Sequence, residues 1–345
     1  MLIDGRCHAD KHATMFRSKV FTSWFVIMLI VWAGLFFSFS DLSFLSSHLH
    51  YPAIMVLGAF VAGLTPEGGG AVAFPVLSIF FNIDRVIARD FSLMIQSIGM
   101  TSASIFILSH RDSVLRAYKP MLYFIPVAFV GFVIGMQTLQ TIPVYIIQAL
   151  FLSLITTFAI AYIYSSHRGS RTSLEFRGGW DAVYLGVILL VAGMCASLFG
   201  TGADIILYTL LVTRFSMNEK VATHLSIMIM AAMSVLGYAY RHFVDAGLTH
   251  DQVGTWLCAY PVVLFMAPFG SYILHKMNVE WMLRGVVLLN IGQLLYFNIN
   301  KPSVEKLIAS GIFCIVLMFV FAITLSRLAK KSRTDDTALP QPEEA

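Results

Sequence analysis

Two glycine-rich breaks interrupt long apolar stretches, one in each half of the chain. The first reads Gly63-Leu64-Thr65-Pro66-Glu67-Gly68-Gly69-Gly70 and the second Ser197-Leu198-Phe199-Gly200-Thr201-Gly202-Ala203-Asp204. A short apolar run, a charged turn and a long apolar stretch follow each one. Apolar residues make up 58% of the chain and charged residues 12%, against roughly 45–50% and about 25% in soluble domains. The chain therefore reads as an integral membrane protein. Its 345 residues leave room for roughly eight to ten spans of about 20 residues. Unwound backbone at membrane depth survives only when buried in protein or lining a polar cavity. A matched pair of interrupted segments in the two halves points to the binding site of a transporter.

The net charge of +4 is not a nucleic-acid footprint, because Lys and Arg sit beside the ends of apolar stretches, where they act as topology signals. Cys7, Cys195, Cys258 and Cys314 have no CxxC spacing, so neither zinc nor a redox motif is suggested and inert packing is expected. A Walker A sequence is absent, so direct ATP drive is not indicated. No cofactor or metal is implied. The apolar run Phe21–Phe39 is long for a signal peptide and reads as a retained first span. Segment 1–20 is then a cytoplasmic lead, 21–328 the membrane domain, and the charged segment 329–345 a disordered cytoplasmic tail.

Each break could lie in a helix that crosses once, or in a re-entrant hairpin. Positive charge favours hairpins. With both broken segments returning to the side they entered from, the loops carrying Arg111, Arg116 and Lys119, and Arg168, Arg171 and Arg177, fall on the side of the basic N-terminus. So do Arg214, Lys220, His275, Lys276 and Arg284, and the basic C-terminus. Arg85, Arg89 and Arg241 are left near the opposite face. The expected fold is an all-α polytopic membrane protein of the cell membrane, with about eight full transmembrane helices and both termini cytoplasmic. The hairpins enter from opposite faces, giving an inverted-topology repeat with halves at about 50–165 and 180–300. Gly68-Gly69-Gly70-Ala71 aligns with Gly200-Thr201-Gly202-Ala203, and the segment Ala88 to Leu93 with Ala222 to Ile227.

The motif of a glycine turn within a hairpin, then Pro75-Val76-Leu77, then Ala88 to Ser92 resembles the TauE/SafE family of membrane transporters. Gly200, Gly202, Ala222 and Ser226 carry it in the second half, and the resemblance covers about residues 50 to 325. It implies export of sulfite, sulfonates or other small organic anions. The chain departs from the pattern at Glu67, at Asp90, and at Leu207-Tyr208-Thr209, where the second half has no proline.

An anion site without a dedicated cation can be built from helix N-termini, whose free N–H groups point at the ligand. The expected site residues are Gly68, Gly69, Gly70 and Ser92 with Gly200, Thr201, Gly202 and Ser226. The blander reading of the glycines is close helix packing. Glu67 and Asp204 flank the breaks, and Asp90 and His224 lie further on. Burial disfavours a charged carboxyl, and a carboxylate beside an anion must be protonated or paired, so proton coupling is the natural reading for Glu67, Asp90, Asp204 and His224. The competing readings are helix N-capping for Glu67 and Asp204, an interhelical hydrogen bond for His224, and an Arg89–Asp90 pair. Gln96, Gln137, Gln148, Asn290 and Gln293 read as interhelical hydrogen bonds.

The leading function is a secondary transporter of small anions, with lipid and protons as partners. An anion channel is the nearest alternative. Gly200 to Asp204 also superficially resembles the GxGD element of intramembrane aspartyl proteases. Such catalysis needs a second aspartate sharing a proton, and Asp90 is the only intramembrane candidate in the other half.

Overall fold

The computed structural model describes residues 15–109, 118–163, 171–174, 179–276, 279–300 and 302–337. Cys7, the loop arginines 111, 116, 168 and 177, and the tail past Thr337 lie outside them. The helices are α1 Lys19–Phe39, α2 Leu42–Ser47, α3 His50–Leu64, α4 Gly70–Pro75, α5 Arg85–Ser109, α6 Met121–Thr138, α7 Val144–Ile163, α8 Gly179–Phe199, α9 Ala203–Thr213, α10 Glu219–Ala239, α11 His250–Lys276, α12 Val279–Ile299 and α13 Val304–Thr337. Wider π turns continue α4 through Val76–Phe80 and α10 through Tyr240–Val244. Helix α13 runs past the boundary at 329 that the charge pattern suggested.

Among the described residues, eight helices are long and apolar enough to cross a membrane. They include Arg85–Ser109 and Glu219–Val244, which are mostly buried, and Lys19–Phe39 and Val304–Ile323, which are mostly exposed to the surroundings. Lipid is as apolar as leucine, so exposed side chains such as Ile30, Phe37, Ile315 and Phe319 are not a folding defect there.

Both broken segments fold back on themselves. Gly69 faces Ala62 and Gly58, and Gly58 faces Val72, so the limb after the first break packs along α3. His50, at the start of α3, stacks on Phe81 at the end of the returning limb, 5.3 Å between ring centroids. In the second break Gly202 faces Cys195 and Phe199, and Arg214 pairs with Asp181 across the open end at 2.5 Å. These are hairpins, not single discontinuous crossings. Their limbs are unequal: α3 has 15 residues, about 22 Å of helix, whereas α8 has 21, about 31 Å and enough to reach across the hydrocarbon by itself.

Two tight helix crossings hold the hairpins. Gly63 of α3 lies against Ala267 and Ser271 of α11, and Gly270 of α11 against Phe60. Gly193 of α8 lies against Ala128 and Phe132 of α6, and Gly131 of α6 against Leu190. Each crossing has glycine on both facing helices. A Cβ at Gly63 or Gly193 would overlap backbone of the facing helix. Close approach of backbones is how membrane helices gain dispersion energy without a hydrophobic drive. The long helices that follow the hairpins, α5 and α10, pack together antiparallel: Leu93 lies beside Gly237 and Asp90 beside Arg241.

Candidate functional site

The tips of the two hairpins meet. Gly68 and Gly200 hold the left-handed backbone that turns each tip, with φ of +70° and +71°, a conformation glycine adopts without steric cost. The chain leaves each returning limb through another left-handed residue, Asn82 and Ser216, both at φ +52°. A Cβ on Gly68 would lie within 3.0 Å of Asp204 Oδ2, Gln96 Oε1 and Thr201 Oγ1. One on Gly70 would overlap Ser92 Oγ, Thr201 and Gln96 Nε2. Thus Gly68, Gly70, Ser92, Thr201 and Asp204 share one buried locus between the halves. Gly69 turns away toward α3, and Gly202 toward α8.

Helix α5 supplies the donors. Ser92 and Gln96 are one turn apart on one face, both buried. Ser92 Oγ donates to the carbonyl of Gly200 at 3.1 Å, and Gln96 Nε2 donates to the same oxygen at 2.7 Å. Gln96 Nε2 also donates to Ser92 Oγ at 3.0 Å. Thr201 Oγ1 donates weakly to the carbonyl of Glu67 at 3.5 Å, joining the tips directly.

The two carboxyls have different surroundings. Asp204 Oδ1 accepts from the N–H groups of Gly202 and Ile205, each at 3.0 Å, so Asp204 caps its own helix. The free donors expected at the start of α9 are therefore partly spent on this carboxylate. Glu67 does not cap α4; its Oε1 accepts from Asn290 Nδ2 of α12 at 2.6 Å. The same amide donates to the carbonyl of Ile155 on α7 at 3.2 Å. Glu67 Oε2 and Asp204 Oδ2 are buried and make no hydrogen bond among the described residues.

Three residues predicted from the sequence lie elsewhere. Ser226 Oγ donates within its own helix, to the carbonyl of Thr223 at 2.8 Å. His224 Nδ1 is 3.0 Å from the hydroxyl of Tyr118, consistent with the interhelical hydrogen bond and away from the tips. Asp90 is held in a buried ion network. Its Oδ1 accepts from Arg89 Nε and Nη2 at 2.9 and 2.7 Å, and Arg241 reaches both oxygens at 3.0 and 2.8 Å. The expected Arg89–Asp90 pair is present, and Arg241 of the other half completes it. Asp90 thus has both oxygens committed to guanidinium groups, and among the described residues no hydrogen bond joins it to Asp204.

The network is anchored to the second tip. Arg89 Nη1 donates to Gln140 Oε1 at 2.7 Å, and Gln140 Nε2 donates to the carbonyl of Ser197 at 3.3 Å. The π turn after α10 places Arg241 where it also binds Asp245 and the carbonyl of Gly247, at 2.9 and 3.1 Å. Gln96 and Asn290 are the site residues that sequence reasoning set aside. Polar side chains inside apolar helices were the signal for both.

Comparison with known families adds one finding. The family model described as Sulfite exporter TauE/SafE matches residues 51–297, from the first turn of α3 into α12, and so takes in both hairpins. No curated protein and no solved structure matches the chain.

Proposed function

We propose that this chain, which belongs to the sulfite exporter TauE/SafE family, is a secondary transporter that exports small anions such as sulfite, organosulfonates or small organic acids in step with protons. It sits in the cell membrane with both termini cytoplasmic, and its halves form an inverted repeat about an axis in the membrane plane. The observation that carries this reading is the meeting of two left-handed hairpin tips over the buried donors Ser92 and Gln96.

The carbonyl of Gly200 now receives both donors. It occupies the place that an anion oxygen would take. Withdrawal of the second tip would hand Ser92 Oγ and Gln96 Nε2 to the substrate, along with the N–H groups at the start of α4. A buried carboxylate beside that anion is electrostatically costly. Glu67 and Asp204, each with one oxygen lacking a partner among the described residues, are therefore the proton carriers. The anion and its neutralising proton then move in the same direction, and net export follows a high internal anion concentration.

Reconstitution tests this. Purified protein in liposomes should drive sulfite flux, and a proton gradient should accumulate sulfite above equilibrium until a protonophore is added. Flux that only ever runs downhill, whatever the proton gradient, would make the protein a channel.

A further inference from the structure

Asp204 Oδ2 and Gln96 Oε1 are both buried acceptors with no hydrogen-bond partner among the described residues, and both point at the same face of Gly68. The orientation of the Gln96 amide follows from its chemistry. Its Nε2 donates to the carbonyl of Gly200, a group that only accepts, so Oε1 must face the other way, toward Gly68, beside which Asp204 Oδ2 also lies. The Thr201 hydroxyl reaches the same point but donates to the carbonyl of Glu67, and two acceptors left facing one another without a shared proton repel, strongly so away from water. One proton turns that repulsion into a hydrogen bond.

We propose that Gln96 is the coupling partner of Asp204: the protonated carboxyl donates from Oδ2 to Gln96 Oε1 and fastens the tip of the second hairpin to α5. This rests on the carrier reading above. The other groups that face Asp204 are consistent with the role. Glu67 of the first tip acts on it electrostatically, and the Thr201 hydroxyl donates to the carbonyl of Glu67. Among the described residues no cationic side chain forms an ion pair with Asp204. Arg89, the nearest guanidinium along α5, is engaged by Asp90 and Gln140.

Protonation also changes the other oxygen. Neutral Asp204 holds the N–H groups of Gly202 and Ile205 less strongly than the carboxylate does, which releases them to an anion. Proton and anion therefore favour one another's binding, and Gln96 is the residue that makes the protonated state fit the fold.

The test uses the full-length protein in liposomes, with sulfite as the probe anion, and infrared difference spectra of the same protein across pH. Gln96→Met removes the acceptor. It should lower the pH midpoint of sulfite flux by about one unit relative to wild type, since the protonated form loses one hydrogen bond. Asp204→Asn should leave only the part of the pH dependence that Glu67 carries, and that remainder should no longer respond to Gln96→Met. In the spectra, the Asp204 component of the protonated-carboxyl band should titrate in wild type, be missing in Asp204→Asn, where only that of Glu67 remains, and shift in Gln96→Met. Gln96→Leu serves the same purpose if the methionine variant does not fold. An unchanged midpoint and an unshifted band in the Gln96 variants would overturn the proposal, as would flux that follows a sodium gradient at constant pH. If wild type carries no sulfite at any pH, the carrier reading fails for sulfite, and the infrared measurement still decides the fate of Gln96.

Discussion

Gly68 and Gly200 turn the two hairpin tips with the same left-handed backbone, and each presses against a polar group contributed by the other half. Gly68 meets Asp204 and Thr201; Gly200 meets Ser92 and the carbonyl of Arg89. The pairing makes the tips interdependent, because neither can gain a side chain without displacing the other.

Substituting either glycine should therefore stop transport. Gly68→Ala and Gly200→Ala each force a side chain into a left-handed conformation that costs roughly 1–2 kcal/mol, and into space already held by Asp204 or Ser92. Sulfite flux in liposomes should fall by more than about tenfold, the rate equivalent of about 1.4 kcal/mol. Gly186→Ala and Gly285→Ala, where nothing lies within 4 Å, should behave as wild type. Equal flux in all four variants would move the site away from the tips.

The helix crossings make a separate prediction about stability. Gly63→Leu and Gly193→Leu would drive a side chain into the backbone of α11 or α6, an overpacking that costs typically 1–3 kcal/mol and more where backbone must move. Both should lower the thermal midpoint in detergent by comparable amounts, since at each a Cβ would meet a backbone carbonyl of the facing helix. A large effect at one and none at the other would show that the halves are held differently.

Asp90 balances two buried guanidinium groups, so its loss should be felt as a fold defect. Asp90→Asn leaves Arg89 and Arg241 without their shared carboxylate, and breaking a buried pair costs about 3–5 kcal/mol. The double variant Asp90→Asn/Arg241→Gln should recover part of that loss, because Arg89 keeps Gln140. A thermal double-mutant cycle reads this coupling directly. If Arg241→Gln cost the same stability with Asp90 present as with Asp90 replaced, Arg241 would be contributing nothing through Asp90.

Glu67 and Asn290 should separate coupling from stability. Glu67→Gln keeps an acceptor for the amide of Asn290 and removes the proton site. Accumulation against a gradient should be lost while downhill exchange of sulfite survives. Asn290→Leu strands a buried carboxyl, costing about 1–3 kcal/mol, and should be detected as a lower midpoint in thermal denaturation. Full accumulation by the Glu67→Gln protein would leave Asp204 as the sole carrier of the proton.

Several of these features are legible in the residue order. The breaks, the glycines at their tips and the repeated short motif stand out because glycine in an apolar run is a local anomaly. The preference for hairpins over single crossings follows from counting basic loops, and the stapled ends at His50–Phe81 and Asp181–Arg214 agree with it. Helix capping by Asp204 is also a local property, since its partners are its chain neighbours. Ser226, aligned with Ser92 by the repeat, does not join the tips. The aligned position on α10 has no counterpart of Gln96, because Met230 stands there, so the two aligned segments differ in the donors they offer.

The sequence by itself determined that this is a helical membrane protein with two glycine-tipped interruptions, because composition and local backbone preference depend on neighbours along the chain. Only the tertiary structure decided which polar groups face one another. Asn290 reaches Glu67 across 223 positions, and Arg241 reaches Asp90 across 151. Gln96 and Asp204 come to the same side of Gly68 because the hairpin tips fold back against each other and against α5. A lone amide in an apolar helix looks the same in sequence whether it joins two helices or reads the charge of a carboxyl. The difference lies in what sits opposite, and that is set by packing.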